Sequence, residues 1–231
     1  MEFEIKDRPS YALLELKLQP NETVRAEAGA MTYMSPNITV NTHMREGGFW
    51  STLGLKLIGA QSFFVNDYVA QNEVGTLGLV SAPVGDIAHL SLKEEKGFVI
   101  QKASYVSSSP TIDLDLKWEG FTKGLFGQGI FMLKARGVGD LFINTFGAIE
   151  TRELTQGEKL IVDNFHLVGF SDNCKYDVRK FGGLKSTILG GEGLVTQIEG
   201  PGTIFIQTKN PKEFADWLWT LIEPRVQARA R

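Results

Sequence analysis

Cysteine, histidine and any surplus of one charge are scarce in this chain. Its 231 residues hold one Cys and three His, so neither an internal disulfide framework nor a cysteine-built zinc site can be assembled from it. The 24 Lys and Arg stand against 27 Asp and Glu, a formal net charge of −3. With no excess of cations to neutralise phosphates, the composition argues against nucleic acid as a partner. No apolar run approaches the roughly 18 residues of a membrane-spanning helix. The start, Met1-Glu2-Phe3-Glu4-Ile5-Lys6, lacks the basic-then-apolar order of a signal peptide. What remains is the expectation of a soluble, cytoplasmic globular protein, with 42% hydrophobic residues available for a core.

Glycine is the one residue in excess, 25 of 231, above a usual share of roughly 7%. The glycines punctuate short alternating stretches. Ile112, Leu114 and Leu116 alternate with Asp113 and Asp115. Leu14, Leu16 and Leu18 do so with Glu15 and Lys17, and Cys174, Tyr176 and Val178 with Lys175 and Asp177. Period-two alternation puts each apolar set on one face of a strand. Thr203–Thr208 reads as a buried strand. A single segment reads as helix: Asn210 is a suitable N-cap, Pro211 suits the first helical position, and Glu213 completes the start. Phe214, Leu218, Leu221 and Ile222 then share a face that is expected to pack on the body, and Pro224 is expected to end or kink the helix. The predicted class is all-β with one C-terminal helix over 211–223.

Blocks of 13 residues beginning at Val24, Phe98 and Leu160 overlay without a gap, at offsets of 74 and 62 residues. Each is followed by an alternating strand, a Gly-rich loop, and a hairpin expected to turn at Asn72–Gly75, Gly137–Asp140 or Gly200–Gly202. The pattern predicts a single domain, 1–231, of three similar β-modules at about 20–92, 93–155 and 156–208. The Gly-rich loops carry many apolar side chains. Phe49, Trp50 and Leu53 mark the first, Phe121 and Phe126 the second, and Phe181 the third. Exposed, they would form a contact surface, so these six residues are the candidate interface of a homo-oligomer, with a trimer as one candidate order. Docking to a membrane surface is the weaker alternative, since each loop carries only one Lys and the total charge is acidic.

Glu27-Ala28-Gly29-Ala30-Met31-Thr32-Tyr33-Met34, Gly157-Glu158-Lys159-Leu160-Ile161-Val162-Asp163, Gly190-Gly191-Glu192-Gly193-Leu194 and Gly200-Pro201-Gly202 resemble the signatures of the altered-inheritance-of-mitochondria (mitochondrial biogenesis) protein 24 family. One departure is Gly59-Ala60-Gln61-Ser62-Phe63, where the family would place Gly-Glu-Ser. The resemblance implies internally repeated β-sandwich modules like those of the tryptophan-RNA-binding attenuation protein, within the double-stranded β-helix group. It implies no particular activity. A role of mitochondrial relatives in inner-membrane organisation does not transfer on fold alone.

Double-stranded β-helices can carry cupin-type metal sites, which need clustered histidines and a carboxylate. His43, His89 and His166 are far apart in sequence and fall at non-equivalent repeat positions. Cys174 reads as a small buried hydrophobe, without a local signature of a nucleophile. Phe181–Thr187 lacks the Gly before Lys185 that a phosphate loop requires. The sequence therefore assigns no catalytic residue, metal ligand or cofactor. Three functional readings follow: a non-enzymatic scaffold or assembly protein, a small-molecule binder with a pocket between modules, and an enzyme of unrecognised type. The first is preferred.

Overall fold

The computed structural model describes residues 1–45, 63–94, 96–115, 130–180 and 194–229. Two strands lead, β1 (Glu2–Lys6) and β2 (Leu13–Leu18). They are followed by β3 (Thr23–Glu27), β4 (Met31–Met34), β5 (Ile38–Arg45), β6 (Phe63–Ala70), β7 (Gly75–Leu79) and β8 (Ile87–Leu92). The next run is β9 (Phe98–Gln101), β10 (Tyr105–Ser108), β11 (Asp113–Asp115), β12 (Met132–Arg136), β13 (Gly139–Asn144) and β14 (Ile149–Leu154). The last is β15 (Lys159–Asp163), β16 (Leu167–Ser171), β17 (Lys175–Lys180), β18 (Leu194–Glu199) and β19 (Gly202–Gln207), before helix α1 (Pro211–Arg229). The fold is all-β with one C-terminal helix.

The strands form four sheets among the described residues: β1-β2-β7-β4, β5-β6-β3-β10-β13-β8, β11-β12-β9-β16-β19-β14, and β15-β18-β17. One bulged pairing recurs three times. Met31 opposes Leu79 and Tyr33 opposes Gly78, with the register slipping by a residue between them. Tyr105 and Ser107 treat Ile143 and Phe142 in the same way, as Leu167 and Gly169 do Ile206 and Phe205. The bulges sit at Thr32, Val106 and Val168, spaced by the same 74 and 62 residues as the sequence blocks.

Period-two alternation places the core. Leu14, Leu16 and Leu18 of β2 are fully buried with Val24, Leu77 and Leu79. Ile100, Tyr105, Leu133 and Ile143 centre a second cluster, and Phe170, Ile198 and Ile204 a third. Ile112 and Leu114 are buried as their alternation requires.

Two local expectations change. The turns at 72–75, 137–140 and 200–202 are not hairpins, because β6 and β7, β12 and β13, and β18 and β19 belong to different sheets. They are corners at which the chain leaves one sheet for another. Asn72, Gly137, Gly139 and Gly202 take the positive φ that such sharp bends need. The helix does not stop at 223 but runs through Pro224 to Arg229. A proline there removes one backbone hydrogen bond, a loss that water can make good on an exposed helix. Asn210 caps the start as expected, its Oδ1 accepting from the Lys212 and Glu213 amides at 2.9 and 3.3 Å. The face predicted to pack on the body is mostly uncovered: Leu218 is half-buried, but Phe214, Leu221 and Ile222 are exposed, as are Trp217, Trp219 and Val226. Phe214 reaches an aromatic ring of the body, that of Phe146, at 5.2 Å between centroids.

Candidate functional site

A cleft of about 570 Å³ lies between β14 and β15, where the second run of strands passes into the third. Glu150, Arg152, Glu153 and Leu154 line one side. Leu160, Ile161, Val162 and Asp163 line the other, with Glu158, His166 and Ile206 completing it. β14 is the last strand of its sheet and β15 the last of its own, so the cleft runs beside two strand edges.

Its four carboxylates all have donors. The Arg152 guanidinium lies 2.9 Å from Glu150, and the Thr203 hydroxyl donates to Glu153 at 2.7 Å. The amide and hydroxyl of Thr155 both donate to Glu158 at 2.9 Å, which holds that carboxyl below its usual range. The Phe165 amide donates to Asp163 at 2.8 Å. His166 faces the carbonyl of Gln207, with Nδ1 2.8 Å from the oxygen. A carbonyl can only accept, so Nδ1 carries the hydrogen and the neutral ring keeps Nε2 as an acceptor. Chemically the cleft is an acidic, donor-satisfied groove with one free imidazole nitrogen. It suits a polar or cationic guest better than an anion.

The other histidines and the cysteine lie elsewhere in the fold. His89 Nε2 lies 2.7 Å from Asp140 Oδ1, and the His89 ring packs at a tilt against those of Phe3 and Phe142. His43 belongs to β5. Cys174 is buried, its thiol directed at the Pro201 carbonyl at 3.5 Å. Burial, with Glu153 and Asp172 nearby, pushes the thiol pKa up, which keeps it protonated and poorly nucleophilic. Among the described residues no group of three or more His, Cys, Asp or Glu is arranged to hold a metal ion. Among the described residues no helix is long and apolar enough to cross a membrane.

The six candidate interface residues, Phe49, Trp50, Leu53, Phe121, Phe126 and Phe181, lie outside the described residues. The exposed apolar surface that is described lies elsewhere. Every residue of β4 is exposed, Met31 at 41% and Tyr33 at 40%, and Ile161 on β15 is exposed at 48%. The sequence held one signal for β4. Tyr33 occupies the position where the other two blocks carry the small residues Ser107 and Gly169.

Residues 3–209 match the family described as mitochondrial biogenesis AIM24. An uncharacterised protein of Streptococcus pyogenes serotype M6 is 28% identical over 225 residues, covering 94% of this chain and 90% of the relative. The crystal structure of a Streptococcus pyogenes protein, solved as a structural-genomics target, superposes with a TM-score of 0.77 at 26% identity. That match covers 95% of this chain and 99% of the other.

Proposed function

We propose, from the premise that the chain belongs to the mitochondrial biogenesis AIM24 family, that it is a non-enzymatic assembly protein that acts as a homo-oligomer through its surfaces. The observation that carries this reading is the apolar surface left uncovered in two separate places. β4 exposes Met31, Tyr33 and Met34, and α1 exposes Phe214, Trp217, Trp219, Leu221 and Ile222. Monomeric soluble proteins seldom leave such stretches bare. The acidic cleft supports the same reading by its chemistry, since its carboxylates are already hydrogen-bonded and Cys174 is a buried thiol. A cytoplasmic setting suits a lone unpaired cysteine. Light scattering across a wide concentration range tests the proposal. A mass that is a multiple of the 25.6 kDa chain is expected, and a protomer mass at every concentration would count against it.

A second reading rests on the cleft itself, as the binding site of a small cationic or polar molecule. Native mass spectrometry of protein taken directly from cells tests it. A retained small molecule that disappears in Glu153→Gln and His166→Ala variants would favour this reading, and a bare protein mass would count against it.

A further inference from the structure

The sheet topology contains an unfinished repeat. Each run of strands supplies six positions, here lettered a to f. Positions a, b, c, d and e are β3 to β7 in the first run, β9 to β13 in the second and β15 to β19 in the third. Position f is β2, β8 or β14, since β2 pairs with β7 as β8 pairs with β13 and β14 with β19. The equivalent residues Leu16, Leu90 and Arg152 are again spaced by 74 and 62. Both six-stranded sheets then read c-d-a-b-e-f. The sheet containing β4 has only b-e-f, extended by β1, and the sheet containing β15 has only c-d-a. The two partial sheets are the complementary halves of a third.

The missing contact is the join between a and b, which the chain makes twice internally. Ser107 opposes Ala26 and Ser108 opposes Arg25 in one sheet. Gly169 opposes Ile100 and Phe170 opposes Val99 in the other. These registers are the same once the 74 and 62 offsets are applied. Burial records what the join does. All four residues of β10 are buried, and so are Leu167 to Phe170 of β16, whereas all four of β4 are exposed. β4 and β15 lie in separate sheets and do not pair within the chain.

We propose that β4 of one copy adds to β15 of a second copy, completing the six-stranded sheet in the order β17-β18-β15-β4-β7-β2. This names the contact for the assembly reading above and rests on it. The internal joins fix the register: Tyr33 opposes Val162, Met34 opposes Ile161 and Ser35 opposes Leu160. The backbone groups of both edges gain ladder hydrogen bonds, and the half-exposed Met34 and Ile161 cover each other. The incoming strand lies along the β15 wall of the acidic cleft. Because the two edges differ, the contact is head-to-tail, and copies joined by it close into a ring when the rotation per copy allows.

The experiment compares wild type with Met34→Lys and Ile161→Lys by light scattering, with circular dichroism to verify folding. Both positions are exposed in the free chain, so a lysine there leaves the protomer folded and blocks edge pairing. The expected result is an oligomer for wild type and a 25.6 kDa protomer for each variant. In a Cys174→Ser background, the pair Met34→Cys and Ile161→Cys should cross-link into covalent multimers under mild oxidation. The pair Met34→Cys and Val162→Cys, on opposite faces, should not. An oligomer that survives both lysines overturns the β4–β15 contact while leaving the assembly reading standing. A wild type that is monomeric throughout overturns both. A cross-link confined to single chains would overturn the intermolecular pairing.

Discussion

Glu27, at the end of β3, is a carboxyl whose environment opposes its charge. Burial raises its pKa to about 7, and Lys102 only partly counters this. An acid whose folded pKa lies above its unfolded value of 4.5 binds its proton more tightly in the native state. Its stabilising contribution is complete below the unfolded pKa and disappears as pH rises through about 7. Glu27→Gln should therefore flatten the fall in urea midpoint between those limits, and an unchanged pH slope would refute this assignment. Two glycines carry constraints of a different kind. A Cβ on Gly169 would lie 2.6 Å from the Val99 carbonyl oxygen, at the join between β9 and β16. A Cβ on Gly202, where φ is +149°, would lie 2.5 Å from the Cys174 sulfur. Gly169→Ala must push two backbones apart and should cost about 2–3 kcal/mol in equilibrium unfolding. Tyr33→Ala, at the equivalent position on the open edge, should leave the isolated protomer within about 1 kcal/mol of wild type. Equal losses for the two would contradict the difference in burial. The buried thiol of Cys174 should alkylate slowly at neutral pH until the protein is denatured.

At the scale of elements, much was legible in the sequence because it is local. Alternation at Leu14, Leu16 and Leu18 identified a buried strand face, and Asn210 with Pro211 identified where the helix begins. The corners carry the sequence signature of hairpins because a glycine-rich turn reports only a change of direction. Whether the flanking strands pair is decided by partners dozens of residues away. The C-terminal helix shows the same limit. Its apolar spacing was readable, but spacing cannot reveal that most of its apolar side chains stay exposed and that Phe146 is the aromatic ring it meets among the described residues. Deleting the chain after Asn210 should therefore change the unfolding free energy by only about 1 kcal/mol, the value of one aromatic pair. A loss of several kcal/mol would mean that the helix packs on the body after all.

Among the described residues the molecule as a whole is two complete sheets and two halves, and this is the level that the sequence disclosed least. The ungapped blocks implied repetition, but the pairing of each repeat with the next, which leaves the first b strand and the last a strand each with one edge unjoined, is a nonlocal property. The cleft was equally hidden, since Glu150 and Glu153 lie on β14, His166 in the turn before β16 and Ile206 on β19, with no spacing motif among them. Self-association through the open edges has a thermodynamic signature. The midpoint of thermal unfolding should rise with protein concentration for wild type and stay constant for Ile161→Lys. Identical concentration dependence in both would show that the edge is not involved.

The β4 and β15 edges also set the handedness of use of any finished assembly. Copies joined by unlike edges all point the same way around the axis, so the two rims of a closed ring differ. Every C-terminal helix, with its exposed Trp217 and Trp219, occupies an equivalent position around such a ring. A surface that touches one such helix feebly meets the others at high local concentration, so avidity rather than single-site strength would govern its binding.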